Sequence, residues 1–208
     1  VTLHATAVLP DLEITTLEVG DFGNDAYLLR CRHTGEQLLI DAAADAKALT
    51  SLIGDGGLAS VVTTHGHADH WKALAEIVAS TGATAYAHPA DAGSLPVPTQ
   101  PLVDGDTVTV GSSSLEVIHL VGHTPGSIAL LYRDPEGPPQ IFTGDSLFPG
   151  GVGNTRGNAA NFTSLLNDVI GKIFDRLPDS TIVHPGHGLP TTLGAERPSL
   201  PEWRERGW

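Results

Sequence analysis

The chain has one cysteine in 208 residues, no methionine, 5% aromatic residues, and 11 basic side chains against 24 acidic ones. The lone Cys31 closes no internal disulfide and supplies no cysteine-rich zinc cluster, which removes disulfide-scaffold and zinc-ribbon architectures together. A formal charge of −13 with no Lys/Arg cluster leaves nothing to neutralise a phosphate backbone, so no nucleic-acid partner is expected. No run of about 18 apolar residues is present to span a bilayer. The opening VTLHATAVLPDLEITTLEV lacks the basic region and apolar stretch of a secretory signal. The expectation is a cytoplasmic protein with no membrane partner. The 24 glycines and 15 prolines are spread over the whole length, with no internal repeat and no linker. They predict one domain over 1–208 built of short elements, and leave the oligomeric state open.

Alternating or β-rich runs predict strands at Leu12 to Val19, Asp25 to Cys31, Gln37 to Ile40 and Ala59 to Thr63, with a helix over Asp45 to Ile53. Asp69 to Ser80 places Trp71, Leu74, Ile77 and Val78 on one helical face and predicts a helix starting at Asp69 or close to it. A strand at Thr84 to Ala87 leads into a Pro, Gly and Asp-rich stretch, His88 to Gly105, which reads as a surface loop. Strands follow at Thr107 to Val110, Leu115 to Leu120, Ile128 to Tyr132 and Gln140 to Phe142. A helix over Phe162 to Leu177, a strand at Thr181 to Val183 and a Pro/Gly-rich tail close the chain. Hairpins in both halves predict an α+β chain, two packed sheets with helices outside.

The ten histidines are not scattered, because six of them lie in three short glycine-flanked stretches. In Thr64-His65-Gly66-His67-Ala68-Asp69-His70, three imidazoles and a carboxylate fall between a strand end and a helix start. Neutral imidazole plus carboxylate is a donor set that zinc, iron or manganese accepts. His123, Asp145 and His187 each follow a further apolar strand, so four strand ends deliver donor-type residues. Seven candidates, His65, His67, Asp69, His70, His123, Asp145 and His187, divide into two sets sharing one carboxylate, as a two-metal centre requires. A polar turn with solvent-exposed histidines explains one stretch and not four.

Through HGHADH (65 to 70), GHTPGS (122 to 127), FTGDSLF (142 to 148) and HPGHG (184 to 188), the chain resembles the metallo-β-lactamase superfamily. The motifs come in the family's order, and the finer pattern is similar to its small glyoxalase II-like hydrolases. The resemblance implies an αββα four-layer sandwich of two mixed β-sheets flanked by helices. It also implies two zinc ions, with iron or manganese as other occupants: His65, His67 and His123 hold one, Asp69, His70 and His187 the second, and Asp145 bridges both. The expected reaction is hydrolytic acyl transfer on a small-molecule acyl substrate. Metal-activated water attacks the acyl carbonyl, and Asp69 orients it. Thioesters come first, of the hydroxyacylglutathione hydrolase type, with lactones, other esters and β-lactams as alternatives.

Asp145 stands where the zinc β-lactamases proper lack an aspartate, which argues against β-lactams as the native substrate. Only about twenty residues follow His187, where a full-length glyoxalase II carries a helical region that contacts glutathione. Lys72 stands where many relatives have glycine. The loop Pro149 to Gly157 offers Asn154, Thr155 and Arg156 as substrate contacts, and lacks the Gly-Lys-Ser/Thr ending of a phosphate-binding loop. Gly144-Asp145-Ser146-Leu147 spells the signature of a serine esterase family, but no Asp-x-x-His pair follows it and the HGHADH stretch goes unexplained. A mononuclear iron persulfide dioxygenase uses a subset of the same ligands. His4, His33, His88 and His119 read as surface, turn or packing residues, and His184 as a neighbour of the centre.

Overall fold

The apolar positions of each central strand alternate between two different cores, and that alternation builds the layers. The computed structural model describes residues 1–207. A first sheet holds β1 (Thr2–Val8), β2 (Leu12–Val19), β3 (Asn24–Cys31), β4 (Gln37–Ile40), β5 (Ser60–Val62), β6 (Thr84–Ala87) and β7 (Gln100–Pro101) side by side in chain order. Its pairings are antiparallel from β1 to β4 and parallel from β4 to β7.

The second sheet contains β8 (Thr107–Val110), β9 (Ser113–His119), β10 (Ile128–Tyr132) and β11 (Gln140–Gly144). A small hairpin, β12 (Leu147–Phe148) with β13 (Gly151–Val152), precedes its last two strands, β14 (Ile182–Pro185) and β15 (Thr191–Thr192). The order is β15-β14-β11-β10-β9-β8, and β11 runs parallel to β14.

Leu12, Ile14, Tyr27, Leu29, Leu38 and Ile40 of the first sheet meet Val108, Leu115, Val117, Ile128, Leu130 and Phe142 of the second in the inner core. Phe142 is fully buried there, with Tyr27 edge-on at 5.1 Å, and truncation of such a ring costs about 3–5 kcal/mol. The intervening positions face outward. Leu17, Leu28, Leu39 and Val61 pack on helices α1 (Ala46–Ile53) and α2 (Leu74–Thr81). A short α3 (Pro89–Ala92) follows β6. Ile118, Ala129, Leu131, Ile141 and Val183 pack on α4 (Ala159–Asp168), the π-helical turn Val169–Phe174 that continues it, and the C-terminal α5 (Leu193–Glu196) and α6 (Leu200–Arg206). The layers therefore run helix, sheet, sheet, helix, as the resemblance implied. Among the described residues no helix is long and apolar enough to cross a membrane.

Three local expectations change. The histidine-rich stretch forms a 3-10 turn, Ala68–His70, and the α-helix begins only at Leu74. Asp69 does not cap it, because the Asp69 carboxylate accepts from Asn24 Nδ2 at 3.0 Å. The backbone amides of Lys72 and Ala73 are taken up instead by the carbonyls of Ala43 and Ala42. Within 88–105, His88 caps α3 by accepting from Ala90 N, with Pro89 in its first turn, and β7 adds a strand. The tail is helical, and its Trp203 is buried edge-on to Phe174 at 6.2 Å.

Candidate metal centre

Parallel strands end on the same side of a sheet, so β4 and β5 of one sheet and β11 and β14 of the other carry their following residues to one edge. The two sheets are tied there by Ile128 N to Thr64 O and by Asp25 N to Gly186 O, both at 2.9 Å. At this edge the structure brings together all seven candidates. Donor atoms of His65, His67 and His123 lie within 4.8 Å of one another, as do those of His65, His70 and Asp145, and those of Asp69, His70 and His187. Asp145 faces both halves: Oδ2 is 3.5 Å from His123 Nε2 and 3.6 Å from His187 Nε2, and Oδ1 is 3.3 Å from His70 Nε2.

Four imidazoles have their outer nitrogen committed. His123 Nδ1 donates to Asn154 O at 2.9 Å, His187 Nδ1 to Phe22 O at 3.1 Å, and His70 Nδ1 to Asp41 Oδ2 at 2.8 Å. Thr64 Oγ1 gives its proton to Asp41 Oδ2, so it accepts from His65 Nδ1 at 3.1 Å. A neutral imidazole has one proton, so each inner Nε2 then presents a lone pair to the centre. His65 Nε2, His123 Nε2 and Asp145 Oδ1 are buried with no hydrogen-bond partner among the described residues, and His70 Nε2 faces His187 Nε2 at 3.2 Å. Acceptors packed against acceptors fit a group that supplies positive charge, and the donor set suits a borderline divalent metal.

The electrostatics show the same demand for positive charge, which a second proton on His70 meets where no ion is bound. Burial alone lowers the His70 pKa, but Asp41 and Asp145, one on each ring nitrogen, push it up to about 10. Burial pushes the Asp145 carboxyl up, and the His187 and His70 imidazoles outweigh it, holding the group far below the usual carboxylate range. His65 is held well below its ordinary value, by burial first and by the His70 charge next.

Three residues that sequence reasoning missed hold the candidates in place. Asp41, the residue after β4, takes a left-handed backbone (φ 59°) and accepts from Thr64 N, Thr64 Oγ1 and His70 Nδ1. A carboxylate directly after an apolar strand is the signal that picked out Asp145, and it was there to be read. Asp91 of α3 is buried and accepts from Gly66 N at 2.8 Å, Gly126 N at 2.9 Å and Thr124 Oγ1 at 2.5 Å. It thus clamps the loop carrying His65 and His67 to the loop carrying His123. Asn24 spans Asp69, His70 and His187 with one amide. Gly186 is the close approach the centre requires, since a methyl group there would collide with the Asp145 carboxylate and reach 2.8 Å from the His70 ring.

The loop after Asp145 splits its three expected contacts. Arg156 is exposed, takes φ 55°, and places a guanidinium nitrogen 3.2 Å from His67 Nε2. Asn154 uses its carbonyl on His123 and its Oδ1 on Arg156 N. Thr155 turns inward, its hydroxyl donating to Asn158 O. His184 points into the inner core, donating to Gln140 Oε1 at 2.8 Å and stacking on Phe142. His88 and His119 stack on each other at 3.9 Å, while His4 and His33 pair with Glu18 and Asp11 at the surface. Ser146 is fully buried and its hydroxyl meets no histidine, which leaves the serine-esterase reading without a base.

A family model, described as metallo-beta-lactamase superfamily, matches residues 19–187. The chain belongs to the metallo-beta-lactamase superfamily. It is 35% identical over 168 residues to the hydroxyacylglutathione hydrolase of Polaromonas sp., covering 80% of this chain and 62% of that relative. The chain thus spans under two thirds of that relative's length. Among solved structures of the fold, the di-iron-bound form of TTHA1623 is 34% identical with a TM-score of 0.71, covering 88% of this chain and 96% of that one. ETHE1 from Myxococcus xanthus is 28% identical with a TM-score of 0.79, over 92% and 84%. The B3 metallo-beta-lactamase BLEG-1 is 27% identical with a TM-score of 0.80, over 91% and 99%. The matched residues 19–187 include all seven residues of the His/Asp cluster, which could hold metal ions.

Proposed function

We propose that the chain is a two-metal acyl hydrolase and, more finely, a zinc thioesterase of the hydroxyacylglutathione hydrolase type acting on a small molecule. The observation that carries this reading is the ring of inward lone pairs in two trios that Asp145 faces at once. His65, His67 and His123 would hold one ion, Asp69, His70 and His187 the other, and Asp145 both. Bound there, the ions supply Lewis acidity, which acidifies water and polarises an acyl carbonyl.

The chain's own residues do the rest. Asn24 donates to Asp69 Oδ2 and fixes that carboxylate, leaving Oδ1 to orient the attacking water and take up its proton. Asp41 keeps the His70 ring turned inward and Asn154 O does the same for His123. Arg156 lies at the open side of the first trio, where a substrate oxygen is within its reach. The name of the Polaromonas relative supports the thioester class. A lactone, a simple ester or a β-lactam presents the same carbonyl to the same centre.

The test is turnover of hydroxyacyl thioesters, lactones, esters and a β-lactam by zinc-loaded protein, with and without a chelator. Saturable, chelator-sensitive hydrolysis of the thioesters is the expected outcome. A fully loaded protein that turns over none of these acyl compounds would contradict it. Oxygen consumption with a persulfide, on one bound iron, would replace it with the dioxygenase reading.

A further inference from the structure

In a chain with 24 acidic and 11 basic side chains, cations are expected to be paired. Arg30, Arg133, Lys172, Arg176, Arg197 and Arg206 each lie within 4.0 Å of a carboxylate. Five others, Arg32, Lys47, Lys72, Arg156 and Arg204, have no carboxylate partner among the described residues, and of these Lys72 and Arg156, both exposed, stand at the rim of the metal centre. Arg156 belongs to the side of His67.

Lys72 belongs to the other trio. It lies two residues beyond His70, and its amide is pinned to Ala43 O at 3.0 Å, so the turn that sets Asp69 and His70 also sets its starting point. Its Nζ sits 5.3 Å from the centroid of the Phe22 ring. Phe22 is 68% exposed, although its own carbonyl receives the His187 Nδ1 proton. An ammonium resting on an aromatic face keeps its three N–H donors for something else. The large apolar ring beside it, uncovered at the edge of a reactive centre, offers contact area to whatever enters.

A net charge of −13 repels anions from this molecule as a whole, so an unpaired cation at the mouth has a defined effect. We propose that Lys72 recognises a carboxylate carried by the substrate, and that the Phe22 ring holds the substrate's apolar portion. The substrate class is then an anionic acyl compound, which deepens the acyl-hydrolase reading and rests on it. Arg156 is left free to take an oxygen nearer the reacting carbonyl.

The experiment compares two phenyl thioesters with the same leaving group, one of acetate and one of succinate, on zinc-loaded protein. Wild type favours the succinyl compound through KM, and Lys72→Ala raises KM for it roughly fivefold more than for the acetyl compound, the scale of an exposed ion pair. Lys72→Arg restores the preference, and added salt erodes it. Lys47→Ala removes an equal charge from the exposed face of α1 and leaves both compounds unchanged. An unchanged succinyl to acetyl ratio in Lys72→Ala overturns the proposal. If neither compound is hydrolysed, that result falls on the reading of the centre, and calorimetry with glutarate and butyrate decides the role of Lys72. Tighter binding of glutarate that Lys72→Ala abolishes supports it, and a difference that survives the substitution overturns it.

Discussion

Asp25 and His184 line one cavity of about 90 Å3 at the end of the inner core, and they respond to acid in opposite directions. Neither Asp25 carboxylate oxygen has a hydrogen-bond partner among the described residues, and burial raises its pKa to about 6. Burial lowers that of His184 to about 4. The unfolded chain takes up the histidine proton first, near pH 6.5, so the His184 contribution is complete above that pH and is lost as pH falls through 4. The folded chain takes up the Asp25 proton first, so its contribution is present below about pH 3.8 and is lost as pH rises through 6. Ionised Asp25 therefore costs stability at neutral pH. Asp25→Asn is expected to raise the unfolding free energy at pH 7 by about 1–3 kcal/mol and to steepen the acid loss, and His184→Gln to flatten it. Urea titrations between pH 4 and 7 read both effects. A less stable Asp25→Asn at pH 7 would show that the carboxylate is engaged in the fold.

The element that governs the His65, His67 and His123 trio is a single turn of helix. Through Asp91, α3 receives Gly66 N from one loop and Gly126 N with Thr124 Oγ1 from the other. Asp91→Asn sets an amide donor among these three donors. It is expected to weaken metal retention at that trio about 10- to 100-fold with the far-ultraviolet spectrum unchanged, as competition with a chromophoric chelator will show. Unaltered metal affinity would reduce Asp91 to a packing residue. The trio's own histidines were legible because HGHADH is contiguous and because apolar runs mark the strand ends that carry the others. Asp91 and Asn24 were not, since their role depends on pairing across 25 to 163 positions of chain, which no local pattern records. The helical tail was misread for a similar reason. Pro198 and Pro201 look like breakers, yet each occupies the first turn of its helix, where proline costs no hydrogen bond.

At the scale of the molecule, hairpins in both halves predicted two packed sheets and the family resemblance the four layers, and in the structure neighbours such as Leu28 and Leu29 face different cores. Its purpose here is to aim strand ends: two sheets, each with parallel strands, converge their following loops on one edge, and the donors arrive from β5, β9, β11 and β14. This edge is predicted to hold two ions with Asp145 between them. Elemental mass spectrometry on protein purified without added metal, for wild type and Asp145→Ala side by side, tests it most directly. Close to two zinc ions per chain in wild type, and loss of the pair together with hydrolysis in Asp145→Ala, is the predicted result. A single ion in wild type, or an Asp145→Ala protein that keeps two ions and full turnover, would contradict it.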